Sequence, residues 1–305
     1  MCMRCFRYLL LLLVVWLYSA SCSQQPEPTM AVAPAGWQRL AVPGGSLEYR
    51  VTGSGEPVLL IHGAILADAF DGLLQQPALA HYQLITYHRR GYAGSSRASA
   101  PFTIEQQAAD AIALLDQVGA PRAHVVGHSY GGAVALQLAR QYPRRVAALV
   151  LMEAAAPALG PPDPKLMEGA QHAAQLHAKG DARGAIMHFG NLISPGAWEA
   201  MTAAGATAMQ EQAVRDAATF FEVEMPALTQ WQFGLAEAGA LQTPALLIMG
   251  GTSPAGFRAG HTALLRALPR AEEKVIEGVG HELQMQQPQA VADAINGFLR
   301  KHPVH

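Results

Sequence analysis

The sequence has few cysteines, few charged residues and no excess of charge of one sign. All three cysteines, Cys2, Cys5 and Cys22, lie near the N-terminus, so the rest of the chain has no thiol for a disulfide bond. Charged residues make up 14% of the 305 residues and the formal net charge is -2. No basic stripe is present, so nucleic acid is not an expected partner. The 50% of residues that are hydrophobic can form a large buried core, which argues against disorder.

The N-terminus has the pattern of an export leader. Two arginines precede the apolar run Leu9–Leu17, which is about half the length needed to cross a bilayer, and small residues follow it. Residues 1–23 are predicted to be a signal peptide or, because Cys22 resembles the cysteine of a bacterial lipoprotein box, a lipoprotein leader. Residues 24–36, rich in Pro, Ala and Gln, are predicted to be a linker. The protein is therefore expected to be exported: periplasmic, secreted, or held at a membrane only by its leader or by a lipid on Cys22.

Residues 37–305 alternate between short apolar runs and segments of helical period. Runs such as 58–61, 124–126 and 146–152 are uninterrupted, as expected of strands buried on both faces of a parallel sheet. Between about residues 154 and 240 the chain is rich in alanine and has few strand signals. This pattern predicts an α/β protein with a doubly wound, mostly parallel sheet and a helical cap inserted after the sixth strand. Such a cap lies over the carboxyl ends of the strands, where ligands bind.

A Gly-His-Ser-Tyr-Gly segment, residues 127–131, lies between a predicted strand and a predicted helix. This is the G-x-S-x-G nucleophile elbow in the context that supports it. Ser129 is the predicted nucleophile, and the Tyr130 N–H, at a helix N-terminus, is a predicted oxyanion donor. The alternative is a glycine-rich turn with an ordinary serine.

Further motifs accompany the elbow. A His-Gly-Ala segment after the strand 58–61 makes the Ala64 N–H the second predicted oxyanion donor. His281 is the predicted general base because, of the twelve histidines, it alone lies late in the chain, after a strand, among glycines. The segment from His88 to Ser96 resembles a D-x-R-G-x-G-x-S loop with His in place of Asp, and is predicted to have a packing role. Together these motifs resemble those of the α/β-hydrolase superfamily, serine-hydrolase type.

The acid of the triad departs from the pattern of that family. Its usual place, G-x-x-D after the strand that follows the cap, has Ser253 instead, and no acidic residue occurs between Glu237 and Glu272. Glu153, at the end of the strand 146–152, is the predicted replacement: the resemblance implies that some family members carry the acid at this place, and a carboxylate at that buried position needs a partner. The alternative is a structural ion pair with an arginine of the Arg89-Arg90 loop. The predicted triad is Ser129, His281 and Glu153.

The resemblance implies hydrolysis of a small, largely apolar ester or related acyl substrate through an acyl-enzyme. No cofactor and no metal are expected, because the histidines have no carboxylate or thiolate set beside them at ligand spacing. Some apolar side chains of the cap are predicted to line a pocket. The candidates are Phe189, Trp198, Met201, Met209, Phe220, Phe221, Met225, Trp231 and Phe233. Alternative functions are a cofactor-free haloperoxidase-like activity, a C–C bond hydrolase, or a non-catalytic ligand-binding homologue. The oligomeric state stays open.

Overall fold

The computed structural model describes residues 36–97 and 100–304. The predicted leader and almost all of the predicted linker lie outside this range, so export and lipid attachment stay predictions. Within the described residues, no helix combines the length and the apolar character that crossing a bilayer would require.

The described chain forms an eight-stranded sheet in the order β1-β2-β4-β3-β5-β6-β7-β8. The β1–β2 and β2–β4 pairs are antiparallel, and all other neighbours are parallel. This confirms the predicted fold class. The strands are β1 (Gln38–Val42), β2 (Gly45–Thr52), β3 (Glu56–Ile61), β4 (Tyr82–His88), β5 (Ala123–His128), β6 (Val146–Met152), β7 (Ala245–Gly250) and β8 (Ala271–Ile276).

Helices connect the parallel strands and cover both faces of the sheet. They are α1 (Asp71–Leu74), α2 (Ile104–Gln117), α3 (Tyr130–Gln141), α4 (Pro164–Ala178), α5 (Ala182–Ile193), α6 (Ala197–Ala203), α7 (Thr207–Arg215), α8 (Met225–Gln230), α9 (Leu235–Ala240), α10 (Ala255–Ala267), α11 (Leu283–Gln286) and α12 (Pro288–Leu299). The start of α2 shows how the local sequence determines where a helix begins. The Thr103 hydroxyl accepts from the Gln106 N–H at 3.2 Å and caps the helix.

The apolar runs explain how the sheet is buried. Successive side chains of a strand point to opposite faces of the sheet, so an uninterrupted apolar run places apolar side chains on both faces. Leu59 and Ile61 of β3 join a core cluster with α2 and α3, whereas Val58 and Leu60 join a second cluster with α12.

Between β6 and β7 the chain forms α4 to α9, with a π-helical turn at Thr219–Glu224; we call these the inserted helices. Their apolar side chains form a third cluster that includes Ile65 and Leu66 from the loop after β3. Trp231 and Phe233 differ from the other pocket candidates. They stack on each other and join the core cluster beside α3, so they do not belong to the cluster of the inserted helices.

Candidate active site

Ser129 lies in the tight turn from β5 into α3. Its backbone has φ 51° and ψ −118°, a conformation that is costly for a residue with a Cβ and is held by its surroundings. The Ser129 N–H donates to the Met152 carbonyl at 2.9 Å, and its own carbonyl accepts from the Ala155 N–H at 2.9 Å. A Cβ on Gly131 would overlap the Ile61 carbonyl, which explains the glycine of the motif. The turn is thus fixed between β3 and the end of β6, and Ser129 stays half-buried.

Glu153 follows β6 directly and is buried. Its Oε2 accepts from His281 Nδ1 at 2.6 Å. Its Oε1 accepts from the Gly250 N–H at 2.8 Å and from the Ser253 hydroxyl. The serine in the family's usual place for the acid therefore donates a hydrogen bond to the predicted acid. Glu153 also has φ 45°, and its N–H donates to the Ile248 carbonyl at 3.0 Å, so its backbone is fixed by β7.

The alternative interpretation of Glu153 paired it with Arg89 or Arg90. In the structure, Arg89 pairs with Glu224 and Arg90 with Asp110. The partner of Glu153 is His281, so the structure brings the predicted acid and the predicted base together.

His281 lies in the loop after β8, and its ring is fully buried. Two rings lie close to it: the Phe257 ring at 4.1 Å and the His128 ring at 4.8 Å, centroid to centroid. The hydrogen bond to Glu153 places a proton on Nδ1, which leaves Nε2 as the acceptor of the neutral imidazole. Within the described part of the chain, Nε2 is buried and has no hydrogen-bond partner.

The two partners shift each other's pKa. Burial alone lowers the pKa of His281, but the hydrogen bond and negative charge of Glu153 outweigh it, and the pKa rises above its usual value. Burial alone raises the pKa of Glu153, but the hydrogen bonds from His281, Ser253 and Gly250 lower it overall. The pair thus favours a carboxylate beside an imidazole that readily accepts a proton.

The two predicted oxyanion donors belong to segments next to Ser129. Tyr130 is the first residue of α3, where a backbone N–H has no acceptor within the helix. Ala64 follows Gly63, and a Cβ built on Gly63 would lie 3.3 Å from Ser129 Cβ. The loop after β3 therefore passes directly against Ser129, and both N–H groups belong to segments that contact the elbow.

Sequence reasoning missed the part that His128 plays. Its Nε2–H donates to the His281 backbone carbonyl at 2.9 Å, so a residue of the elbow motif holds the loop of the base. Ligand atoms of His128, His281 and Glu282 also lie within 4.8 Å of one another, a spacing that could hold a metal ion. One nitrogen of each ring, His128 Nε2 and His281 Nδ1, is already engaged in a hydrogen bond. A metal ion would therefore have to bind the other nitrogen of each ring, which for His281 is the nitrogen that the proposed base needs.

His88 stands where the family pattern has Asp. Its Nδ1 lies 2.9 Å from Glu48 and its Nε2 2.9 Å from Asp68, and its ring lies against Trp37. These contacts tie β4 to β2 and to the loop after β3, consistent with the predicted packing role.

Comparison with known proteins identifies the class. The model of the alpha/beta hydrolase fold family matches residues 56–288. The chain therefore belongs to this family.

Individual relatives are similar over different lengths. The putative carbamate hydrolase RutD of Variovorax paradoxus (strain S110) is 42% identical over 116 residues, which cover 35% of this chain and 42% of that protein. The chain thus aligns with less than half of that relative. The dihydrolipoyllysine-residue acetyltransferase component of the acetoin cleaving system of Pseudomonas putida is 29% identical over 280 residues, 87% of this chain and 70% of that protein.

Among solved structures, a thermophilic esterase from Thermogutta terrifontis superposes with a TM-score of 0.75 at 24% identity, covering 87% of this chain and 100% of that one. At this identity the likeness concerns the fold.

Proposed function

We propose that this protein is a serine hydrolase that cleaves small, largely apolar esters or related acyl compounds. Ser129 is the nucleophile, His281 the general base and Glu153 the acid of the triad. The observation that carries the proposal is the buried Glu153–His281 pair, with a 2.6 Å hydrogen bond and an unpartnered Nε2, in a family member with an intact nucleophile elbow.

In the first half-reaction Ser129 Oγ attacks the carbonyl carbon while its proton passes to His281 Nε2. Glu153 keeps the Nδ1 proton in place and stabilises the imidazolium that forms. The Tyr130 and Ala64 N–H groups donate to the oxyanion of the tetrahedral intermediate. The intermediate collapses to the acyl-enzyme, and the leaving alcohol takes the proton from Nε2.

In the second half-reaction a water molecule replaces the alcohol. His281 Nε2 accepts a proton from the water as its oxygen attacks the acyl carbon. Collapse of the second tetrahedral intermediate returns the proton to Ser129 Oγ and releases the carboxylic acid. Every step of this proposed reaction uses groups of the chain and water.

The preference for an apolar substrate rests on the cluster formed by the inserted helices. Ile65 and Leu66, which follow the oxyanion donor Ala64, pack in this cluster with aromatic side chains such as Phe220 and Phe221. The surroundings of a bound acyl group are thus apolar. The name of a putative carbamate hydrolase among the similar proteins agrees with attack on an acyl carbon.

The test compares hydrolysis of p-nitrophenyl acetate and butyrate by the wild type, by Ser129→Ala and by Ser96→Ala. The hydroxyl of Ser96 bonds to the backbone of Ser46, so this variant controls for loss of a loop serine. We expect Ser129→Ala to lower kcat by about 10⁴-fold or more and Ser96→Ala to retain activity. A wild type no faster than Ser129→Ala would overturn the proposal in favour of a binding role.

A further inference from the structure

A buried arginine outside the triad contacts the loop that carries the oxyanion donor. Arg89 follows β4 and is 1% exposed. Its Nε donates to the His62 carbonyl at 2.9 Å and its Nη2 to the Gly63 carbonyl at 2.8 Å. Its guanidinium lies over the Tyr130 ring at 4.7 Å, so it touches both loops next to the nucleophile.

The contact with Gly63 bears directly on the oxyanion donor. The Gly63 carbonyl and the Ala64 N–H belong to one peptide group, which is planar and trans, so the two bonds point in opposite directions. A donor that holds the carbonyl on one side therefore fixes the direction of the N–H on the other. Rotation of this peptide group would turn the Ala64 N–H away and break the bond to Arg89.

His62 supplies a second donor to the same carbonyl. The Arg89 N–H donates to His62 Nε2 at 2.9 Å, so the hydrogen of the neutral ring is on Nδ1. Nδ1 lies 2.7 Å from the Gly63 carbonyl and donates to it. Burial, and then the charge of Arg89, keep the pKa of His62 well below its usual value, so the ring stays neutral and keeps this tautomer.

Arg89 is held in turn by a residue of the inserted helices. Glu224, the last residue of the π-helical turn, is fully buried and forms an ion pair with Arg89. Tyr92 donates its hydroxyl hydrogen to Glu224 Oε2 at 2.7 Å, and its oxygen accepts from the Ile65 N–H at 3.4 Å. The network thus connects the inserted helices to the residues on both sides of Ala64 in the loop after β3.

We infer that Arg89 is a positioning residue that sets the direction of the Ala64 N–H, and that Glu224 holds Arg89 in place from the inserted helices. This inference rests on the proposed function. The charged guanidinium also polarises the peptide group to which it donates, which makes the Ala64 N–H a stronger donor. The inserted helices therefore contribute to stabilising the oxyanion without contacting the reacting atoms.

The test needs a readout that reports on the oxyanion. In a thionoester, sulfur replaces the carbonyl oxygen and accepts hydrogen bonds weakly, so a working oxyanion hole favours the ester over the thionoester. The ratio of kcat for matched ester and thionoester substrates is measured for the wild type, Arg89→Lys and Glu224→Gln. Asp110→Asn is the matched control, because it disrupts the neighbouring buried ion pair with Arg90.

Arg89→Lys keeps the charge but cannot donate to both carbonyls in the same geometry. We expect it to lower kcat for the ester by about 10- to 100-fold, with KM little changed, and the ester-to-thionoester ratio to fall by a similar factor. We expect Glu224→Gln to have a smaller effect in the same direction, and Asp110→Asn to leave the ratio unchanged.

An unchanged ratio in Arg89→Lys, or an equal fall in Asp110→Asn, would overturn the inference while leaving the proposed function intact. If neither substitution gives folded protein, Tyr92→Phe takes their place, because it removes the bond to Glu224 and changes the side-chain volume little. We expect Tyr92→Phe to lower the ester-to-thionoester ratio, and an unchanged ratio would overturn the inference. A wild type without esterase activity would instead refute the proposed function.

Discussion

Replacing Glu153 with glutamine tests the relocated acid most directly. The Glu153 Oε1 accepts from the Gly250 N–H and the Ser253 hydroxyl, so the oxygen of the glutamine amide keeps this side. The amide nitrogen then faces His281 Nδ1 and donates to it. The imidazole is forced to carry its proton on Nε2, where it cannot accept the proton of the nucleophile.

The expected loss in kcat is about 10⁴-fold, or about 5.4 kcal/mol of transition-state stabilisation. We expect KM to change little because Glu153 is buried and both of its carboxylate oxygens are bonded within the protein. The assay is steady-state hydrolysis of p-nitrophenyl butyrate. Glu282→Gln is the matched control, since that carboxylate neighbours His281 in sequence but bonds to Gln284 at 2.9 Å. We expect the control to lose less than about tenfold.

A second variant returns a carboxylate to its usual place in the family. Because Ser253 contacts the Glu153 carboxylate, Ser253→Asp in a Glu153→Ala background can place an acid in the same space. We expect this pair to recover part of the activity that Glu153→Ala loses.

If Glu153→Gln keeps more than about a tenth of wild-type kcat, the carboxylate is structural and the reasoning is wrong.

Two further predictions concern pH and packing. The proposed base His281 is inactive when protonated, so kcat/KM should fall as the pH is lowered. Burial lowers the pKa of His281 but Glu153 raises it more strongly, so the midpoint of this fall should lie above the usual pKa of a histidine side chain, and a pH–rate profile checks this. A Cβ on Gly132 would lie 2.7 Å from Ala154 Cα, so Gly132→Ala should lower the free energy of unfolding by about 1–3 kcal/mol in urea titration. Gly297→Ala, in α12 with open space around it, should instead be neutral or raise it by up to about 1 kcal/mol, and equal effects of the two would contradict the packing argument.

Local patterns were sufficient to predict the strands, and they singled out the acid and the base that the structure brings into contact. The uninterrupted apolar run of β6 implied burial on both faces, and a buried carboxylate at its end required a partner. That reasoning, together with the resemblance to the family, led to Glu153, and the structure pairs it with His281.

Contacts between distant residues were beyond that reasoning. The bond from His128 to the His281 carbonyl joins positions 153 residues apart, and the pair of Arg89 and Glu224 joins positions 135 residues apart. Nothing in the local sequence distinguishes Glu224 from an exposed glutamate on a helix. Its role emerges only when the inserted helices fold back over β4, which depends on tertiary packing and not on residue pattern.

The position of Glu153 before the inserted helices has a consequence for how such proteins can diversify. The proposed nucleophile and the proposed acid belong to one continuous β-α-β unit, so we expect that exchanging the whole insertion for that of another family member leaves both in their native positions. We therefore expect that an insertion can be transplanted as a module, provided that it brings an acidic side chain to Arg89. Libraries that vary the insertion for new acyl groups should therefore keep Glu224 constant and randomise its neighbours.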